Sequence, residues 1–201
     1  MLEPLRLSIA VLSAAHGYRD PFTVHHQDRV AQLSVAIGAR LGLGAERLEV
    51  LRLGAVVHDI GKIAVPAEIL GKPGALSDTE YALVKTHSAI GFGILQKLQS
   101  PLPIAEIAHQ HHERLDGSGY PRGLAGEDIL LEARILAVAD VYDAMTSNRA
   151  YRPGMPSDFV LEKLRGMAGI LLDIDAVKAC QACILTDCST HSDTPAVASV
   201  R

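Results

Sequence analysis

An all-α bundle is the fold class this sequence predicts, on three observations. Apolar residues return every three or four positions along most of the chain, the period of a buried helix face. No alternation of period two lasts beyond a few residues, so no strand is expected. Apolar residues make up 48% of the 201 residues but aromatic ones only 4%, with no Trp, a composition of Leu-, Ala-, Ile- and Val-rich helices. That length allows one domain with a substantial core.

The first helix runs Leu5 to Ala15 and is closed by His16-Gly17, with His16 on the surface. Residues 1–19 form a lead-in or linker, residues 20–185 the main domain, and residues 186–201 a loose polar tail. Asp20-Pro21 makes a turn, and a helix follows from about Val24 to Leu41. Its apolar face is Val30, Leu33, Ile37 and Leu41, and His26 lies on that face; His25 and Gln27 point elsewhere. Leu48 to Lys62 is the organising stretch: Leu48, Leu51 and Ala55 form a buried stripe that His58 continues, Asp59 follows, and Ile60-Gly61 ends the pattern. Ala64 to Gly74 is a connection with a Lys72-Pro73-Gly74 turn. Ser77 to Glu80 has the capping-box pattern and starts a helix whose stripe is Val84, His87, Gly91, Ile94 and Leu98. Pro101 and Pro103 break the chain. A short helix from Ile104 ends in His109-Gln110-His111-His112, and an irregular loop with Gly117, Gly119 and Tyr120-Pro121 follows. Glu132 to Ser147 is a helix with Leu136, Asp140 and Asp143 on one face. Arg149, Tyr151 and Arg152 make a cationic cluster after it, and Phe159 to Met167 and Ile174 to Leu185 are the closing helices.

Charge and cysteine usage narrow the function classes. A net charge of −4 argues against a broad grip on duplex nucleic acid, though a small phosphorylated ligand remains compatible. No apolar run approaches the roughly 18 residues of a membrane span. Glu3 and the lack of a basic lead argue against a signal peptide. Three clustered cysteines argue against a disulfide framework and for a reducing, cytoplasmic compartment. Cys180, Cys183, Cys188 and His191 fit no common zinc spacing and read as ordinary reduced thiols.

The chemistry lies in the polar residues that helices turn inward. A buried, unpaired carboxylate such as Asp59 costs several kcal/mol, roughly, unless something positive compensates it. A metal ion and Lys62 are the two candidates. His26, His58, Asp59, His87, His111, His112 and Asp140 give five histidines and two aspartates. Each alone has the ordinary reading of a satisfied core residue; together they point to a shared centre. Imidazole with carboxylate and no thiolate suits Fe, Mn, Zn, Co or Ni rather than Ca. Seven ligands exceed one site that must also admit water, so two metals bridged by one carboxylate is the natural arithmetic. Two such ions supply a water nucleophilic at neutral pH and neutralise charge on a phosphoryl group.

HDIGK at 58–62 and HHERLDGSGYP at 111–121, with the spaced His26, His87 and Asp140, resemble the signature motifs of the HD-GYP family, a branch of the HD phosphohydrolase superfamily. The resemblance is dense from about Asp20 to Arg152 and weak to about Val177. It implies an HD-domain helical bundle of seven to eight helices around a buried binuclear metal site. It implies a phosphodiesterase that hydrolyses cyclic di-GMP, a bacterial second messenger, to pGpG and on to GMP. By position, His26, His58, Asp59 and Asp140 would hold one metal. Asp59, His87, His111 and His112 would hold the other, with Asp59 bridging. Two divalent transition metals are expected, Fe or Mn first, with Zn, Ni and Co also fitting. Lys62 would reach a phosphate or the catalytic water, which makes Asp59 and Lys62 the catalytic pair. Asp143, Arg149 and Arg152 match positions used around the nucleotide. Gly119, Tyr120 and Pro121 form the namesake loop, which would touch substrate through Tyr120 and offers a docking point for a diguanylate cyclase or adaptor. A homodimer is a further expectation.

Two departures qualify the resemblance. Some members carry a Glu four residues before the first His, giving a third metal site; here that position is Phe22, so two metals are expected. Ala150 stands where a Pro is usual between the two arginines. The rival functions are hydrolysis of another cyclic dinucleotide, such as cyclic GMP-AMP, and a metal-bound receptor or interaction module without turnover.

Overall fold

The computed structural model describes residues 2–19, 21–148 and 153–191; among residues 19, 21–24 and 187–191 only the backbone is described. Helices dominate it: α1 (Leu2–Arg19), α2 (Pro21–Arg40), α3 (Ala45–Val57), a 3-10 turn (Ile60–Ala64), α4 (Ala67–Leu70), α5 (Asp78–Lys85), α6 (His87–Leu95), α7 (Ile104–Gln110), α8 (Leu131–Thr146), α9 (Ser157–Met167) and α10 (Ile174–His191). Among the described residues there is no strand; Asp116 with Ala125 and Ala168 with Leu172 form isolated bridges. No described helix is long and apolar enough to cross a membrane.

Helix α8 is the axis of the bundle. Ala133, Ile135, Leu136, Ala137, Val138 and Ala139 are all buried, because a helix apolar on nearly every side can only sit inside. Helices α2, α3, α7, α9 and α10 pack around it. Arg47 Nε donates to Glu132 Oε1 at 2.7 Å and ties α3 to its first turn. Helix α2 presents Gln27, Val30, Ala31, Ser34 and Ile37 inward, so its buried stripe is turned slightly from the face of Leu33 and Leu41. The core holds Cys180 and Cys183 as free thiols, with Arg40 Nε donating to Cys183 Sγ at 3.1 Å. The Cys188 and His191 side chains lie outside the described residues.

The eight expected helices are present, with corrections. Helix α1 continues past His16-Gly17 to Arg19, and His16 is buried rather than on the surface, with Gln27 Nε2 at 3.2 Å from its Nδ1. Gln27 therefore also points inward. The packing of α1 on α2 decides this, and local pattern does not report it. The capping box is present: Glu80 N–H donates to Ser77 Oγ at 3.3 Å and Ser77 N–H to Glu80 Oε2 at 2.7 Å. The helix it starts divides at Thr86, and the supposed connection 64–74 contains α4. Helix α10 runs on to His191, so the expected boundary at 185 falls inside a helix.

Candidate metal centre

Helix α3 delivers His58 and then stops. His58 caps it with helical angles, and Asp59 leaves the helix at φ −97°, ψ 6°, in the sparsely used bridge region. In a continued helix the two side chains would point about 100° apart. The break turns both into one site, where His58 is 1% and Asp59 2% exposed. His58 Nδ1 donates to the Ala55 carbonyl at 2.6 Å, which leaves the Nε2 lone pair free to face inward. The 3-10 turn then presses on α6: a Cβ at Gly61 would land on the His87 carbonyl oxygen. That contact brings the head of α6 beside Asp59, with His87 Nε2 3.4 Å from Asp59 Oδ1.

His87 and His111 repeat the arrangement of His58. Their Nδ1 atoms donate to Val84 and Ala108 carbonyls, each at 2.6 Å. His111 caps α7 with helical angles, and at this helix end the adjacent His111 and His112 rings lie 4.0 Å apart. His109, one turn earlier, stacks on Phe92 at 4.3 Å and stays outside the group.

From the other side, α2 and α8 bring His26, Asp140 and Asp143. His26 Nε2 is 3.3 Å from Asp140 Oδ1, and its Nδ1 is 2.7 Å from Asp143 Oδ2. Two groups of ligand-type atoms result: Asp59 with His87, His111 and His112, and His26 with His58 and Asp140, the atoms of each lying within 4.8 Å of one another. Asp59 faces both. Its Oδ2 is 3.4 Å from His58 Nε2 and 3.9 Å from His26 Nε2, while Oδ1 faces His87.

Protonation follows from these neighbours. Burial pushes the Asp59 carboxyl up, but the Lys62 ammonium and the His58 and His87 rings outweigh it and hold it well below the ordinary carboxylate range. Burial also drives His111 well down and His112 down to about 3, which keeps both rings neutral. Burial would lower His26, yet hydrogen bonds to Asp140 and Asp143 raise it to about 9. A cation is what this pair of carboxylates attracts. The donor set fits a metal on a further observation: His58 Nε2 and Asp59 Oδ1 are buried without a hydrogen-bond partner. Such atoms are costly unless a missing group meets them.

Lys62 Nζ lies 2.6 Å from Asp59 Oδ2, at the rim of the site. Tyr120 stacks on His112 at 4.7 Å, and Lys85 Nζ sits 5.5 Å from the centre of its ring. The Tyr120-Pro121 peptide is cis. Gly119 passes so close to the start of the loop that a Cβ would strike the Arg114 backbone nitrogen. Arg149 and Arg152 lie outside the described residues. The Phe22 side chain is likewise undescribed.

Three residues matter here to which sequence reasoning assigned no role: Glu113, although it lies within the HHERLDGSGYP motif, Arg29 and Ser147. Glu113, 2% exposed, accepts from Arg122 N–H at 2.8 Å and Leu124 N–H at 3.0 Å and so folds the loop back on itself. Arg29 grips Asp143 from α2, and Ser147 bonds both. Arg29 stands three residues after His26 on the same helix, a spacing that puts it beside whatever His26 meets.

Comparison with known proteins agrees with this geometry. A family described as HD domain matches residues 11–175. The chain is 40% identical over 173 residues to a cyclic di-GMP phosphodiesterase of Thermotoga maritima, covering 85% of this chain and 47% of the relative. It is 44% identical over 160 residues to the 3'3'-cGAMP-specific phosphodiesterase 1 of Vibrio cholerae, covering 79% of this chain and 37% of the relative. The chain thus spans less than half the length of these relatives. Among solved structures, Bd1817, a HDG"Y"P protein from Bdellovibrio bacteriovorus, superposes with a TM-score of 0.68 at 25% identity, over 81% of this chain and 52% of that one. With a match over most of its length and with the His58-Asp59 pair at its centre, this chain belongs to the HD domain family.

Proposed function

We propose that this chain is a metal-dependent phosphodiesterase that hydrolyses cyclic di-GMP to pGpG and on to GMP. The observation that carries the reading is Asp59, whose two oxygens face two separate groups of histidines. The names of the relatives supply the substrate class. His26, His58, Asp59 and Asp140 are assigned to one divalent ion and Asp59, His87, His111 and His112 to the other. Fe or Mn suits this mixed set, and Zn, Ni and Co also fit.

Two bound ions supply a water that is nucleophilic at neutral pH and charge neutralisation at the phosphoryl oxygens. The chain's residues do the rest. The imidazoles of His87, His111 and His112, lowered by burial, offer ring lone pairs without having to lose a proton first, whereas His26, raised to about 9, gives one up when it ligates. Lys62 holds its ammonium 2.6 Å from Asp59, close enough to turn to a non-bridging phosphate oxygen as charge builds there. Tyr120 braces His112 by stacking, and burial raises its phenol so that the hydroxyl keeps its proton for donation. Arg149 and Arg152 are assigned to the guanine edges or the second phosphate, for which a planar guanidinium is suited.

A second substrate, cyclic GMP-AMP, is favoured by one observation: the Vibrio relative at 44% identity carries that specificity in its name. The metal centre does not read purines, so both nucleotides belong in the test. Cytoplasmic placement, a homodimer, and docking of a diguanylate cyclase or adaptor at Gly119, Tyr120 and Pro121 complete the proposal. Capture of a cyclase by wild type and equally by Tyr120→Ala would remove Tyr120 from the docking role.

The test has two readouts. The chain is purified anaerobically, its metals are counted, and it is incubated with each cyclic dinucleotide plus Mn(II) or ferrous iron. Two ions per chain and linear products, both lost in Asp59→Ala, are expected. Two ions with intact nucleotides would make the chain a receptor. No ion under any loading condition would overturn the metal assignment.

A further inference from the structure

His26 is held differently from His58, His87 and His111. The Nδ1 atoms of His58, His87 and His111 donate to carbonyls of the chain three residues before them, all at 2.6 Å. His26 Nδ1 instead meets the Asp143 carboxylate at 2.7 Å, across the contact between α2 and α8. That carboxylate is fixed in turn. Arg29 Nε donates to Oδ1 at 2.6 Å and Nη2 to Oδ2 at 2.9 Å, a forked grip that sets the plane of the group. Ser147 Oγ accepts from Arg29 at 2.8 Å and donates to Asp143 Oδ2 at 3.1 Å.

We infer that Arg29 and Asp143 are positioning residues for the His26 metal position and make the two metal positions unequal. Asp143 orients His26 so that Nε2 points inward, and its negative charge makes that nitrogen a better donor. Arg29 fixes Asp143 in the one orientation that does this. At the other position His87 and His111 are locked by their own backbone and His112 is braced by its stack on Tyr120, so that position does not depend on the contact between α2 and α8. Exposure runs the same way on balance: at the His26 position the His26 and Asp140 side chains are 19% and 14% exposed with His58 buried, whereas at the other His112 alone is partly exposed and His87 and His111 are buried. The His26 position is therefore the one that loads and loses metal, and its affinity depends on a contact between two helices. This inference rests on the metal-centre reading proposed above.

Equilibrium dialysis against graded Mn(II), counting ions per chain, tests it without any substrate. Wild type is expected to reach two ions. Arg29→Ala should weaken one of them by about 10- to 100-fold and leave the other unchanged. Arg29→Lys should fall between, because an ammonium does not fork. Asp143→Asn should match Arg29→Ala, and combining the two should add little, since Arg29 acts through Asp143. Arg47→Ala, which cuts a comparable ion pair to Glu132 elsewhere on α8, should lower the melting temperature of the metal-free chain but leave the Mn(II) curve alone. Should Arg29→Ala not fold, Arg29→Lys and Asp143→Asn carry the comparison. A wild-type Mn(II) curve in the Arg29 variants, or fully additive effects of Arg29 and Asp143, would overturn the inference while leaving the metal centre standing. A wild type that binds no Mn(II) would overturn both.

Discussion

The backbone of Gly61 lies against the carbonyl oxygen of His87, with no room between them for a side chain. This contact joins the turn that carries Asp59 and Lys62 to the helix that begins at His87. Gly61→Ala must push the two apart. A destabilisation of about 1–3 kcal/mol or more is expected from such overpacking, read as a shift in urea unfolding. The Asp59–His87 distance of 3.4 Å should lengthen with it, so metal bound by His87, His111 and His112 should weaken. Wild-type stability and metal content in Gly61→Ala would contradict the packing account.

Lys62 and Asp59 pair at 2.6 Å, yet their roles differ. Asp59 faces both histidine groups, whereas Lys62 stands at the rim. Lys62→Ala is expected to keep two metals per chain and to lose about 10²- to 10³-fold in turnover, the usual effect of removing one group that meets developing charge. Metal counting beside initial rates separates the two residues. A parallel loss of metal would place Lys62 in the assembly of the centre instead.

Glu113 holds the loop that contains Tyr120 by accepting two backbone N–H groups from a buried position. Glu113→Gln puts an amide NH₂ where an acceptor is required. The loss should be about 1–3 kcal/mol, with faster hydrogen exchange at the Arg122 and Leu124 amides. Unchanged protection at those two amides would show that the loop is held by other means.

Glu49 ties α1 to α3. It accepts from Arg52 at 2.9 and 2.8 Å and from Arg6 at 2.7 Å. The Arg52 guanidinium, with Arg6, lowers it from 4.5 to about 2 against the effect of burial. A carboxyl lowered on folding contributes stability in full above its ordinary value and loses it as pH falls through the folded value. Wild type should therefore exceed Glu49→Gln by a constant margin above about pH 5, and the margin should shrink between pH 4.5 and 2. The pairs face water, so added salt should reduce the margin as well. A margin independent of pH would assign the effect to packing.

Much of the centre was legible in the residues. His58-Asp59 interrupts an apolar stripe, and His26, His87 and Asp140 each sit on an apolar helix face, so burial of ligand-type groups followed from periodicity. The capping box at Ser77 was equally plain, because its partners are three residues apart. His16 and Gln27 were misread, since only the docking of α1 on α2 buries them and joins them. Glu113 stands inside the HHERLDGSGYP motif but its role was not legible there, because its partners lie 9 and 11 residues away with no period to reveal them.

The sequence by itself determined the helical class, most of the helices and the inventory of ligand-type residues, because period, caps and residue chemistry are local properties. Only the tertiary structure decided how those residues divide. Asp59 faces two groups because its helix breaks at that residue and the turn beyond it rests on α6. His26 takes a carboxylate where His58, His87 and His111 take a carbonyl because α8 brings Asp143 to it from 117 positions along the chain. Such distances are set by how helices pack, and one-dimensional spacing does not record them.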